Sequence, residues 1–247
     1  MITALVIGIG SGSPVHLTGE AHSALNEVDV FLVADKGPAK RDLAEVRRRL
    51  CAEVIEHDRY RFVEVPDPVR DRTSDDYDSA VQAWHEARVA AYRETLAAEL
   101  PDGGTVGFLV WGDPAFYDST IKIASALGDD VRVVPGISSL QLLGAAHRIV
   151  LNQVGQPIHI TTGRRLLAEY TPDLGDVLVM LDGDLACEGL VPLYPELEIF
   201  WGAQLGLAGQ ALASGRLDEV IGAIRATRDA VRVEHGWVLD TYLLRRP

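Results

Sequence analysis

The 247-residue sequence predicts an α/β protein with largely parallel sheet. Near-continuous apolar runs of strand length alternate with amphipathic helical stretches, the pattern of strands buried on both faces by helices. Glycine-rich turns also close several of those runs, where open α/β sheets bind their ligands.

The first strand is read over 2–9 in ITALVIGI and the second over 29–34 in DVFLVA. A helix is expected over 40–55, then a strand over 62–65, then a longer helix over 76–100. Strands follow over 105–110 (TVGFLV), 131–134, 158–161, 177–181 (VLVML) and 198–201. A helix over 217–228 and a final strand over 237–244 complete the pattern. The longest polar interruption, VPDPVRDRTSDDYDS, starts at Val65; its prolines and charges suit a surface loop of the kind that carries function. A division after Asp113 would give two α/β domains, 1–113 and 114–247.

Composition narrows the function. A net charge of −13 and a pI near 4.9 argue against general affinity for nucleic acid. Cys51 and Cys187 lie far apart with no ligand partners at short spacing, so neither a disulfide framework nor a metal site is read from them. MITALVIGIG lacks a basic leader and reads as a strand, not a signal peptide, and no apolar run approaches the ~20 residues of a membrane span. A cytoplasmic protein, with no membrane partner and no metal, is the expectation.

Three turns carry the chemistry. VIGIGSGSPVHLT follows the first strand, but a dinucleotide loop beginning at Gly8 needs glycine at position 13, where Ser13 stands; the glycine comes early, at Gly12. Pro14 stiffens the loop and removes a donor a phosphate would want, and no Gly-Lys-Ser/Thr follows. The second turn is Trp111-Gly112-Asp113-Pro114. The third is VPGISSLQLLGAA, where Ser138 and Ser139 can cap the next helix. Each alone is an ordinary turn, whereas all three at strand ends describe a ligand floor.

With these turns the chain resembles the tetrapyrrole methylase family, which shares a glycine-rich start, a central Gly-Asp-Pro and a Pro-Gly-x-Ser/Thr turn. That resemblance implies two α/β domains with mixed, largely parallel sheets and a cofactor cleft between them, a homodimer, and S-adenosyl-L-methionine as methyl donor. By family position, Ser11, Trp111, Gly112, Asp113, Phe116, Ser138, Ser139, Leu181 and Gly202 should surround the cofactor. Met180 and Ala203 are the alternatives if the register of those strands slips by one. Ser11 stands where the wider family most often has proline. DKG at 35–37, VPDPVRDR at 65–72, AWHEAR at 83–88, WGDPAFYDST at 111–120, VMLDG at 179–183 and HGWVLDTYLLRR at 235–246 narrow the resemblance to the branch serving cobalamin synthesis. They imply precorrin-5 as substrate, methylated at C1 with loss of its two-carbon unit as acetate.

Such a substrate carries many carboxylates, so an acidic protein must gather arginines locally. Arg70, Arg72, Arg164 and Arg165 are the candidates, because guanidinium binds carboxylate bidentately. Acetyl loss calls for a base near neutral pKa and for further acid–base groups. His85, Asp35 and Tyr117 are the catalytic candidates; His147, His235, Lys36 and Asp113 are further titratable groups of the same kind. Alternatives remain open: another family member acting on uroporphyrinogen, a protein or an RNA, a non-catalytic S-adenosylmethionine-binding module, or a dinucleotide oxidoreductase.

Overall fold

The computed structural model describes residues 1–35, 41–68 and 77–247, and the chain divides into two compact units, Met1–Ser138 and Ser139–Pro247. In the first unit, strands β1 (Ile2–Gly8), β2 (Val30–Asp35), β3 (Arg61–Pro66), β4 (Gly104–Val110) and β5 (Asp130–Val134) form one sheet in the order β3-β2-β4-β1-β5. Every pairing in it is parallel. Helices α1 (Gly19–Leu25), α2 (Arg41–Val54), α3 (Tyr77–Glu99) and α4 (Thr120–Leu127) make the crossovers. The division read after Asp113 would separate β5 from β1, yet β5 pairs with β1 along its length and stays with the first unit.

The apolar runs lack strict alternation because both sheet faces are buried. Leu5, Ile7, Phe31 and Leu109 pack with Ala21, Leu25, Leu50 and Cys51 on one face. Ala4, Val6, Leu32 and Phe108 pack with Tyr92, Leu96 and Ile123 on the other. Strand order then places the site. The connection leaving β1 runs through α1 on one face of the sheet, and that leaving its neighbour β4 runs through α4 on the opposite face. Adjacent strands whose connections turn to opposite faces open a crevice at their carboxyl ends.

The second unit contains α5 (Ser139–His147), β6 (Ile158–Thr162), α6 (Gly163–Glu169), β7 (Asp176–Met180), β8 (Glu198–Ala203), β9 (Ala211–Arg216), α7 (Leu217–His235) and β10 (Asp240–Arg245). Its sheet runs β6-β7-β10-β8-β9 and is mixed: β6 and β7 are parallel, and β10 and β9 join antiparallel. The core gathers Val177, Val179, Ile199, Trp201, Tyr242 and Leu244 under Leu166, Leu217 and Ile224. Strand β9 (ALASGR) is weak in apolar residues and was not expected from the sequence. Helix α7 runs past the expected end at 228 to His235, where Gly236 closes it in the left-handed conformation (φ 73°).

Candidate functional site

The three turns read from the sequence meet at the ends of β1, β4 and β5. Gly10 and Gly112 exchange backbone hydrogen bonds, with Gly112 N donating to Gly10 O at 2.7 Å and Gly10 N to Gly112 O at 3.2 Å. Both glycines hold left-handed backbone, φ 58° and 64°, a region costly to β-branched residues. Gly136 lies so close that an added Cβ would stand 2.0 Å from Gly112 O. Only residues without side chains allow these strand ends to close together.

Asp113 staples two of the turns. Its Oδ1 accepts from Ala115 N at 2.8 Å and its Oδ2 from Gly136 N at 2.9 Å. The carboxylate therefore ties the Gly-Asp-Pro turn to the Pro-Gly turn, while Pro114 and Phe116 continue the loop. Ser11, almost fully buried, hydrogen-bonds His16 Nδ1 at 2.8 Å, so its hydroxyl braces its own loop. The early glycine has a packing reason. A Cβ on Gly12 (φ 84°) would strike Trp111 Cζ3 at 2.7 Å and Val46 at 2.8 Å. Gly12 makes room for an indole, not for a pyrophosphate.

Beyond Trp111, still within the first unit, lies a cavity of about 610 Å3 whose walls include Ala34, Arg47, Arg48, Trp84, Arg88, Tyr92, Trp111 and Tyr117. Arg88 forms an ion pair with Asp67, Nε and Oδ1 being 2.8 Å apart but poorly aligned for a hydrogen bond, and stacks 4.5 Å from the Trp84 ring. Arg48 pairs with Glu64 at 2.7 Å. Arg47 lies 5.0 Å over the Trp111 ring, and burial pulls its pKa down to about 10, partly offset by nearby Asp118. Burial also raises the pKa of Tyr92.

The catalytic candidates fall around this cavity unequally. Tyr117 lines it, in left-handed backbone (φ 50°). Asp35 is the last residue of β2, next to the lining residue Ala34, and His85 lies on α3 next to the lining residue Trp84. Lys36, Arg70 and Arg72 lie outside the described residues. Ser138 is buried and directly precedes α5, where a helix cap belongs; Ser139 opens the helix.

In the second unit, Leu181 follows β7 with a left-handed backbone (φ 52°) and a side chain 63% exposed. An exposed leucine in strained backbone marks a residue held for contact. Behind it, Asp182 accepts from Asp184 N, Ala186 N and Tyr242 Oη, and Arg228 donates to its backbone carbonyl at 2.6 Å. Arg228 also pairs with Asp240 at 2.8 Å. VMLDG and HGWVLDTYLLRR thus meet in one buried network that holds the Leu181 turn. Gly202 is in β8, where a Cβ would stand 2.7 Å from Leu205. Arg165 pairs with Glu169 on α6, and Arg164 is exposed beside it. His147 Nε2 lies 3.0 Å from Trp201 O, and its ring packs edge-on to Phe200, a bracing role; His235 lies at the end of α7 near Trp237. Arg47 and Trp111 Nε1 were not foreseen as a pair. The signal was present, because Arg47 falls on the helical stripe of Leu43, Leu50 and Val54, a charge among apolar positions.

The parallel sheet and the three interlocked turns place a candidate ligand floor at the carboxyl ends of β1 and β4. The model of the tetrapyrrole (corrin/porphyrin) methylases matches residues 4–221, and the chain belongs to that family. Within it, the chain is 46% identical over 248 residues to the precorrin-6A synthase (deacetylating) of Sinorhizobium sp, covering 98% of this chain and 94% of the relative. Among solved structures it is similar to the cobalamin synthesis related protein CobF from Corynebacterium diphtheriae, with TM-score 0.83, 36% identity and coverage of 100% and 99% of the two chains. The fold is shared with a Thermus thermophilus uroporphyrin-III C-methyltransferase complexed with S-adenyl homocysteine, at TM-score 0.60, 19% identity and 98% and 97% coverage. No described helix is long and apolar enough to cross a membrane.

Proposed function

We propose that this enzyme transfers a methyl group from S-adenosylmethionine to C1 of precorrin-5 and releases acetate, giving precorrin-6A in cobalamin biosynthesis. The observation that carries the reading is the 46% identity to a precorrin-6A synthase over nearly the whole of both chains. The interlocked turns agree with it: Gly10 and Gly136 let the turns at the strand ends pack backbone against backbone, where an added Cβ would strike His16 O or Gly112 O. When bound, S-adenosylmethionine supplies an electrophilic methyl group on its sulfonium.

The protein's part is alignment and exclusion of water. Trp111, Gly112, Asp113 and Phe116, with Ser11 and the Ser138–Ser139 turn, are proposed to hold the methyl donor, and Leu181 and Gly202 to complete its surroundings. Asp113 acts by holding the turns in register, since both of its oxygens already accept backbone donors. Tyr117, Asp35 and His85 are the proposed acid–base groups for deacetylation, and Arg70, Arg72, Arg164 and Arg165 the proposed partners of substrate carboxylates. A homodimer working in the cytoplasm is part of the same reading.

Paired assays with precorrin-5 and uroporphyrinogen III, each with S-adenosylmethionine, test the substrate. Methylation of precorrin-5 alone is expected. Preference for uroporphyrinogen would move the enzyme to another branch of the family.

A further inference from the structure

Three arginines of α7 converge on the turn that follows β7. Arg228 donates to the carbonyl of Asp182 at 2.6 Å, Arg232 to that of Gly183 at 3.0 Å and Arg225 to that of Asp184 at 2.9 Å. Positions 225, 228 and 232 are spaced by three and then four residues, so they fall on one face of the helix. Three successive carbonyls are thus each taken by a cation from the same helix. Gly183 and Asp184 are exposed, where water alone satisfies a carbonyl, so these arginines supply fixation beyond what satisfaction requires.

The turn is strained at both ends. Leu181 and Leu185 hold left-handed backbone, φ 52° and 59°, a conformation that persists in leucine only where its surroundings impose it. Leu185 is fully buried in the core of the second unit, which accounts for its end of the turn. Leu181 has no such anchor, because its side chain is exposed. The Asp182 carboxylate fixes amides of the turn, Asp184 N at 3.0 Å and Ala186 N at 2.7 Å, while the arginines fix its carbonyls. Together they leave the residue just before them, Leu181, little freedom.

We infer that Arg225, Arg228 and Arg232 are positioning residues for methyl transfer: by holding the carbonyls of 182–184 they keep Leu181 in its left-handed pose, with its side chain presented to the bound methyl donor. The inference rests on the proposed reading of Leu181 as a cofactor contact. The arginines act through the turn and not on the reacting atoms. A contact fixed in advance spares the ligand the cost of ordering it, and the gain appears as cofactor affinity.

The test uses the full chain with S-adenosylhomocysteine as probe. Arg232 is the arginine to change, because it is exposed, whereas Arg228 also holds buried Asp240. Wild type, Arg232→Met, Arg232→Lys, Leu181→Ala and the double variant Leu181→Ala with Arg232→Met are compared by calorimetry. Thermal melting checks the fold, and hydrogen exchange at the Asp184 and Ala186 amides reads the turn without ligand. Arg232→Met should speed that exchange at least threefold and weaken S-adenosylhomocysteine at least threefold, and Arg232→Lys should recover part of both losses. Leu181→Ala should weaken binding at least as much, and adding Arg232→Met to it should weaken binding no further, the non-additivity of residues that act through one another. In turnover, Arg232→Met should raise KM for S-adenosylmethionine and leave KM for the corrinoid unchanged, a split that general destabilisation does not produce. Unchanged exchange or unchanged binding in Arg232→Met, or losses that simply add in the double variant, overturn the inference and leave the cofactor reading in place. If wild type does not bind S-adenosylhomocysteine, or Leu181→Ala binds it as wild type does, the reading of Leu181 as a cofactor contact fails and the inference falls with it.

Discussion

Replacing Gly136 with Ala tests the interlocked turns at their tightest point. The new Cβ would lie 2.0 Å from Gly112 O and 2.9 Å from Gly8 C and Cα. A carbon–oxygen contact needs about 3.3 Å, so one backbone must withdraw by about 1.3 Å. The obstacle is main chain on two neighbouring turns, tied by the Gly10–Gly112 bonds and by Asp113, and no rotamer change relieves it. Overpacking of this kind costs roughly 1–3 kcal/mol, and a clash against fixed backbone belongs at or above the top of that range. A loss of about 3 kcal/mol lowers the melting temperature by roughly 6–12 °C in a protein of this size. Thermal melting by circular dichroism, with calorimetry of S-adenosylhomocysteine, reads both consequences. Gly222→Ala on α7 is the matched control: its Cβ meets nothing within 4 Å, and it should stabilise by about 0.8 kcal/mol. If Gly136→Ala melts within about 2 °C of wild type, a threshold small against that expected shift, and binds the cofactor product normally, the account of the floor is wrong.

Gly112→Val forces a β-branched residue to φ 64° and should weaken S-adenosylhomocysteine at least tenfold by calorimetry; unchanged affinity removes this turn from the site. Arg228→Met leaves Asp240 buried without its cation and should cost about 3–5 kcal/mol in chemical denaturation. Burial holds Asp240 above the ordinary carboxylate range, against the pull of Arg228 and Trp201. Its contribution to stability is therefore full below the unfolded value and is lost as pH rises through the raised folded value. Without Arg228 that loss should steepen, so equal pH slopes in the two proteins would contradict this account of the pair. Burial pushes both Cys51 and Cys187 thiols up to about 12, so neither should react with a disulfide reagent at pH 8 until denaturant is added. Rapid labelling of the native protein would show that one of these sites is open.

The parallel sheet was legible because its strands are buried on both faces, which leaves runs such as LVIGI uninterrupted by polar residues. The turns were legible because Gly, Pro and Asp at strand ends restrict the backbone more than neighbouring residues do. What those residues do there was not. Asp113 reads as a possible acid or base, yet it takes two backbone donors from different turns, a pairing between residues far apart in sequence. Gly12 reads as a misplaced phosphate glycine, and only the indole packed against it explains its position. Strand β9 escaped notice because ALASGR is held by pairing with β8, not by its own propensity. Arg47 was visible as a charge on an apolar stripe, but the periodicity does not reveal that Trp111 stands beside it.

The most direct test of the central claim is stoichiometric. Purified protein, precorrin-5 and methyl-labelled S-adenosylmethionine are incubated together, and labelled corrinoid and free acetate are measured in the same sample. The account requires one acetate for every methyl group transferred. Methylation without acetate would contradict the deacetylating reaction and leave only a tetrapyrrole methylase of another specificity.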